Sequence, residues 1–480
     1  MILLQHIRRY IEQPLVRPWA LIAPVLTLVI CLPLLRPLRQ PDPSQISDDE
    51  KARLAMVEAI VEQHSLRIDR GSFPEASEAM RSADAKYASV PPMQSVVASP
   101  IYWLLRQRGL SFKDDLVMVR YLLVLLCVTV PVALSAGMVY RLGRMFELPR
   151  PARAGLALLV MLPVGLLTTA VTFGPHAPAA VLLLAAVTCI RHIAVSDHPL
   201  RSMGWLVVAG VSAALAVTFD ASSMVLLVLL PLVIMTMRWP SKWRVTGVLL
   251  YVAGMVPVFC LNAWLIYQMT GAINPLPLGS MEGPNLSVAG NRVTLIGIPA
   301  GGAGIDARDD DVVEVGAVER AWASVSVWIG RLLDSMLGQR GVLSHFPVVL
   351  IGVWGALTTL RRHWASTTKA MAAIILVAGM ILLLVHCVWS RKGPHGAFGP
   401  DWILVLLPVV MIWSGSWLKR PHYTQTWIVA ALACALSLAV SIIGAADKPP
   451  REGYRGYSVA EALTRLGPQA AGHQGASLSR

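Results

Sequence analysis

Apolar runs long enough to cross a bilayer recur from one end of this chain to the other, and nothing else restricts its fold as much. A helix needs about 20 apolar residues to span about 30 Å of hydrocarbon. Runs of that order cover Trp19–Leu35, Leu116–Tyr140, Ala154–Thr172, Ala177–Val195, Met203–Phe219, Ala221–Met237, Val245–Tyr267, Val342–Leu360, Ala370–Trp389, Trp402–Trp417 and Trp427–Ala445. Composition agrees: 14% of the residues are charged, where a soluble domain carries about 25%. Lipid offers the backbone no hydrogen bonds, so the spans must be helices. The expectation is an all-α polytopic membrane protein with about eleven transmembrane helices. Trp19, Trp205, Trp239, Trp243, Trp264, Trp402, Trp417 and Trp427 stand near span ends, as interfacial tryptophans do.

The net charge of +13 raises the question of nucleic acid, and the location of the charge answers it. With the N-terminus in the cytoplasm, the inner segments hold 17 lysines and arginines against 3 acids. The two long outer loops, 39–115 and 269–341, hold 15 basic and 20 acidic residues. That is the positive-inside asymmetry of an inner-membrane protein, and it excludes nucleic acid as the partner. It places the C-terminus outside. Arg8 and Arg9 precede the first span, which lacks an A-x-A cleavage site and ends in Arg36, so it reads as an uncleaved anchor. The organisation expected is a seven-span module over 1–268 that carries the first outer loop, a second outer loop over 269–341, four spans over 342–445, and a polar tail over 446–480. The six cysteines all fall in or beside apolar runs and read as packing residues, without disulfide or metal spacing.

The first loop carries its own helical signals. Ser47-Asp48-Asp49-Glu50 has the form of a capping box, and Leu54, Val57, Ile60 and Val61 continue it as an apolar stripe. A Gly/Ser/Pro-containing stretch, Gly71 to Ser89, separates this helix from a second one behind Pro91-Pro92. That helix, Met93–Arg108, is interrupted by Pro100 and reads as lying at the interface. The second loop is rich in Gly, Pro and Asn, then acidic at Asp309–Asp311, a solvated face rather than a metal site. It ends in an amphipathic helix, Val318–Leu337.

Polar groups at mid-membrane are few, which counts against an ion-coupled transporter. Groups able to do chemistry gather instead on the outer face: Asp48, Asp49, Lys86, His176, Asp220, His345, Arg391, Lys392, His395 and Asp401. Asp48 and Asp49 lead. They read either as acids complementing a helix dipole or as a carboxylate pair for general-base or metal-ligand work. Asp220 reads as a helix N-cap or a binding group, and His176 as a residue of a tight Gly174-Pro175-His176 turn or a binding group. Lys86 suits a snorkelling cation or a phosphate ligand. Arg391, Lys392 and His395 break the positive-inside pattern locally, which suits a lipid phosphate or headgroup.

Three stretches carry a family resemblance. The anchor span followed by Ser47-Asp48-Asp49-Glu50, an amphipathic helix and Lys86-Tyr87-Ala88-Ser89-Val90-Pro91-Pro92 resembles the first outer loop of the GT-C membrane glycosyltransferases, the class that includes protein mannosyltransferases and aminoarabinose transferases. Gly338-Gln339-Arg340-Gly341-Val342-Leu343-Ser344-His345-Phe346-Pro347 resembles the entry to a later span in that class. Phe398-Gly399-Pro400-Asp401-Trp402-Ile403-Leu404 resembles a stretch where relatives usually carry Arg, and Asp401 departs from it. The resemblance implies a GT-C-like fold with interfacial helices in the first loop. It also implies inverting transfer of a sugar from a polyprenyl-phosphate donor to a lipid, glycan or protein acceptor on the outer face. In such enzymes a first-loop acid acts as base, sometimes with a divalent metal. Carried over, Asp48 or Asp49 would deprotonate the acceptor, and Lys86, Arg391 or Lys392 would stabilise the departing phosphate. A non-catalytic lipid-binding member of the same fold, and a transporter or flippase, are the alternatives.

Overall fold

The computed structural model describes residues 18–42, 46–73, 79–82, 85–196, 203–271, 286–289, 292–295, 328–338, 341–389, 400–420 and 422–446. The chain enters through α1 (Pro18–Cys31) and the short α2 (Arg36–Arg39). The first loop follows, with α3 (Asp48–Glu62), the antiparallel hairpin β1 (Ala79–Ser82) and β2 (Ala85–Ala88), and α4 (Met93–Gln107). Then come α5 (Leu116–Phe146), α6 (Arg150–Met161), α7 (Leu166–Ala170), α8 (His176–Ala194), α9 (Gly204–Phe219), α10 (Met224–Met235) and α11 (Ser241–Thr270). The second loop contributes the hairpin β3 (Leu286–Ala289) and β4 (Arg292–Leu295) and the helix α12 (328–337). The chain ends with α13 (Val342–His345), α14 (Val349–Arg361), α15 (Ser366–Trp389), α16 (Asp401–Leu404), α17 (Leu407–Met411), α18 (Ser414–Leu418) and α19 (Thr424–Ala446). The protein is thus an almost entirely helical, polytopic membrane protein.

Six helices among the described residues are long and apolar enough to cross a bilayer: the α1–α2 run, α5, α8, α11, α15 and α19. The other expected spans are short or broken. α9 and α10 are short, and three runs split where proline or glycine interrupts the ladder. α6 stops before Pro163, and Gly165, at φ +75°, reverses the backbone before α7. α13 ends before Pro347, and Pro408 opens α17 within the α16–α18 run. Freed backbone groups inside a membrane need partners. α19 supplies two of them one turn apart: Ser441 Oγ accepts the Gly165 N–H at 3.3 Å, and Ser437 Oγ accepts the Val348 N–H at 3.2 Å. Thr129 Oγ1 donates to the Ala170 carbonyl at 2.7 Å. α5 carries Pro131 without a break because a π turn over Leu125–Thr129 precedes it and absorbs the missing hydrogen bond.

Helix contacts follow the rule that small residues let backbones approach within lipid. α9 and α11 meet reciprocally: a side chain at Gly210 would lie 2.0 Å from the Tyr251 carbonyl oxygen, and one at Gly254 2.3 Å from that of Val207. Large apolar side chains such as Leu134, Leu249, Val429 and Leu432 face outward, as they must toward acyl chains. All six cysteines are free.

The first loop packs as a unit over the spans. Leu54 and Val57 are fully buried as the stripe requires, but so are Ala52, Ala55, Met56 and Ala59. α3 is therefore a buried helix, wrapped by α4 and β2, rather than one lying on the membrane surface. α4 runs unbroken through Pro100. It turns Ser95, Ala98 and Tyr102 inward and leaves Val97, Trp103 and Leu104 about half exposed, the amphipathic pattern of an interfacial helix. The Gly71–Ser89 stretch between the two helices contains the β1–β2 hairpin.

Candidate functional site

Everything that positions the site starts at the N-terminus of α3. Ser47 caps it, accepting the Glu50 N–H at 3.4 Å. The reciprocal half of the capping box does not form. The Glu50 carboxylate turns away and meets the Arg120 guanidinium of α5 in a two-point contact, 2.8 Å to Nε and 3.0 Å to Nη2. Side-chain exposure is 5% for Glu50 and 2% for Arg120, so the pair is fully desolvated. Arg120 Nη1 also donates to the Gln40 carbonyl at 3.2 Å, and the Phe173 N–H points at Glu50 Oε1 at 3.5 Å. One carboxylate thereby ties the first loop to α5 and to the turn before α8.

Burial alone would raise the Glu50 pKa, but Arg120, its hydrogen bonds and the nearby charge of Arg36 hold it below the usual carboxylate range. Glu50 therefore ionises more readily in the folded than in the unfolded protein. Its contribution to stability is complete above the unfolded carboxylate pKa of about 4.3 and is lost as pH falls through the lower folded value. Thermal unfolding in detergent is expected to steepen below about pH 4, and the slope should be shallower in Glu50→Gln. Equal slopes would rule this out.

Asp48 and Asp49 flank this anchor. Asp48 pairs with Lys51 at 3.3 Å and is 41% exposed. Asp49, 51% exposed, receives Arg53 twice: Nη2 at 3.4 Å from its carboxylate and Nη1 at 3.1 Å from its carbonyl. Arg53 itself is only 5% exposed, and its carbonyl accepts from Ser95 Oγ of α4 at 3.0 Å. Its charge acts on His176, the first residue of α8. His176 Nδ1 contacts Asp220 Oδ2, and Asp220 Oδ1 is fixed by the N–H and hydroxyl of Ser222 at 2.9 and 2.7 Å. Asp401, at the start of α16, also acts on His176. The loop rests directly on this turn, since Gln94 Nε2 donates to the Gly174 carbonyl at 3.0 Å.

The structure thus pairs Asp49 with Arg53 on α3 and His176 of α8 with Asp220 of the α9–α10 turn, and the charges of Arg53 and of Asp401 on α16 reach His176. Asp48 stands one residue from Asp49. Lys86 lies half-buried on β2, its carbonyl accepting the Ile68 N–H at 2.9 Å. Arg391, Lys392 and His395 lie outside the described residues. His345 is buried, with Nδ1 at 3.0 Å from the Gly341 carbonyl, and serves the α13 turn. Sequence reasoning missed Arg53 and gave Glu50 only a capping role. The one available signal was helical spacing, which puts Arg53 four residues beyond Asp49. Among the described residues no three His, Cys, Asp or Glu side chains come together to hold an ion. Asp48 and Asp49 each face a cation of their own helix instead. These residues do not form a metal cage.

Solved structures place this architecture. The apo oligosaccharyltransferase of Archaeoglobus fulgidus aligns over 94% of this chain and 59% of its own length, at 13% identity and a TM-score of 0.50. The chain shares the fold of the aligned part of that oligosaccharyltransferase. ArnT from Cupriavidus metallidurans aligns in its apo state over 85% of this chain and 60% of its own, at 14% identity and a TM-score of 0.48. Its complex with undecaprenyl phosphate aligns over 86% and 62%, at 14% identity and 0.48. The chain therefore spans about three-fifths of the length of these structures. No protein-family model matches the sequence, and neither does any curated protein.

Proposed function

We propose that this protein is a glycosyltransferase of the inner membrane, with its N-terminus cytoplasmic. It moves a sugar from a polyprenyl-phosphate donor to a lipid, glycan or protein acceptor on the face bearing the first loop, inverting the sugar centre. The observation that supports this reading most is the array of Asp49, Arg53, His176 and Asp220 where the first loop meets α8, on a GT-C fold. A site there faces both the membrane boundary, where a polyprenyl donor is dissolved, and the aqueous phase, where an acceptor arrives. Asp49 takes the acceptor proton as the hydroxyl attacks the sugar, with Asp48 beside it. Arg53 and His176 stabilise the departing phosphate, with Lys86 as a further cation of the first loop and Arg391 and Lys392, outside the described residues, as candidates for the same role. The sugar centre passes through oxocarbenium-like character as the phosphate leaves.

The test uses purified protein in liposomes with polyprenyl-phosphate sugars extracted from native membranes, and follows release of polyprenyl phosphate. Wild-type protein should release it in the presence of membrane acceptors. Asp49→Asn should slow release about 10²–10⁴-fold, the usual worth of a general base, with unchanged thermal stability. Wild-type protein that releases no lipid phosphate would sink the reading. A loss of stability in Asp49→Asn with turnover intact would leave the acid a helix cap.

A further inference from the structure

The His176–Asp220 pair is built more tightly than phosphate binding requires. Asp220 is 10% exposed, and its free oxygen is locked by two donations from Ser222, so it cannot swing away from the ring. The contact uses Nδ1 of His176, which commits that nitrogen as the donor to the carboxylate. Nε2 is the ring nitrogen left for chemistry, and the side chain keeps 28% exposure. Asp220 from the α9–α10 turn contacts the ring, and the charges of Asp401 from α16 and Arg53 from α3 also act on it. An imidazolium among them gives two charges of each sign. A neutral ring leaves an uncompensated carboxylate in a largely buried place, which is costly.

We propose that His176, oriented by Asp220, donates a proton through Nε2 to the lipid phosphate as it departs; this rests on the glycosyl-transfer reading above. The acceptor oxygen forms a bond to the sugar centre, and its proton passes to Asp49. The bond from the sugar centre to the phosphate oxygen breaks, and its electron pair stays on that oxygen. The phosphodiester monoanion of the donor becomes a monoester, whose second pKa is about 6. The Nε2 proton of the imidazolium moves to that phosphate as the bond breaks. Water then carries the Asp49 proton back to His176, so the enzyme is restored. Two titratable groups in contrasting settings, an exposed carboxylate and an oriented imidazole, are the arrangement expected of a base and an acid that act in one step.

The experiment compares the polyprenyl-phosphate sugar that the wild-type protein turns over with a short-chain analogue fluorinated beside the phosphate, which lowers the second pKa of the leaving group. His176→Gln should lose about 10²–10⁴-fold with the ordinary donor and markedly less with the fluorinated one. The kcat profile of the wild type should fall at alkaline pH, and Asp220→Asn, which preserves shape, should move that fall to lower pH. Asp49→Asn should lower the rate equally with both donors and leave the alkaline limb in place. Equal losses for His176→Gln with the two donors overturn the proposal, as does an alkaline limb indifferent to Asp220→Asn. The second measurement decides alone if His176→Gln does not fold. Wild-type protein inert toward both donors overturns the glycosyl-transfer reading first, and the proposal with it.

Discussion

Replacing Arg120 by alanine should destabilise the protein by about 3–5 kcal/mol, the cost of stranding a buried carboxylate. Glu50 is 5% exposed and takes both of its strongest hydrogen bonds from this one guanidinium. Alanine also removes the donor to the Gln40 carbonyl. Arg120→Lys should rescue only part of the loss, because an ammonium cannot make the two-point contact. The pair itself contributes far less than its breakage costs, since desolvation offsets most of its attraction. The double variant Glu50→Met, Arg120→Leu should therefore unfold much closer to the wild type than Arg120→Ala does. Thermal or denaturant unfolding in a fixed detergent measures all four proteins. An Arg120→Ala protein as stable as the wild type would show that the loop is held by its apolar contacts alone.

A comparable loss should follow from Gly254→Val. The added Cβ would sit 2.3 Å from the Val207 carbonyl oxygen, and backbone cannot rotate aside as a side chain can. Overpacking of this kind costs about 1–3 kcal/mol and more where the neighbour is fixed. The opposing contact, Gly210 against the Tyr251 carbonyl, fails with it, because the two helices must separate together. Gly155 in α6 is the control: a Cβ there meets nothing within 4 Å. Gly155→Ala should be neutral or stabilise slightly through better helix propensity. Monodisperse protein on size exclusion is the readout, and a well-folded Gly254→Val protein would disprove the tight α9–α11 contact.

Much of this architecture was legible because lipid imposes a single demand, helical apolar stretches, and the chain answers it in the open. Each expected span contains helix. The breaks at Pro163, Pro347 and Pro408 were equally visible as residues, but their meaning was not. A proline in a span either kinks or ends it, and the choice depends on whether another helix offers a partner. Here Ser437 and Ser441 of α19 do so from almost 90 and 276 residues away. The site divides the same way. Asp49 stood out as an acid at the start of a loop helix, and His176 and Asp220 as polar groups at the outer turns of spans. Their association did not, because it runs through Arg53, whose role is set by burial under α4. Glu50 was hidden behind a local motif: at the third helical position it matched a capping box, while its actual partner lies 70 residues away.

The Glu50–Arg120 contact also bears on how the chain is made. During synthesis the first loop is complete before α5 emerges, so Glu50 leaves the membrane with no counterpart. α5 then inserts carrying a guanidinium on its fifth residue, at a depth where a lone charge is disfavoured. Only when the loop settles on the newly inserted helix are both charges compensated. Settling of the first loop is thereby coupled to correct insertion of one particular segment. A chain in which α5 stalls or inverts leaves Glu50 without its guanidinium and α3 without its tie to the spans.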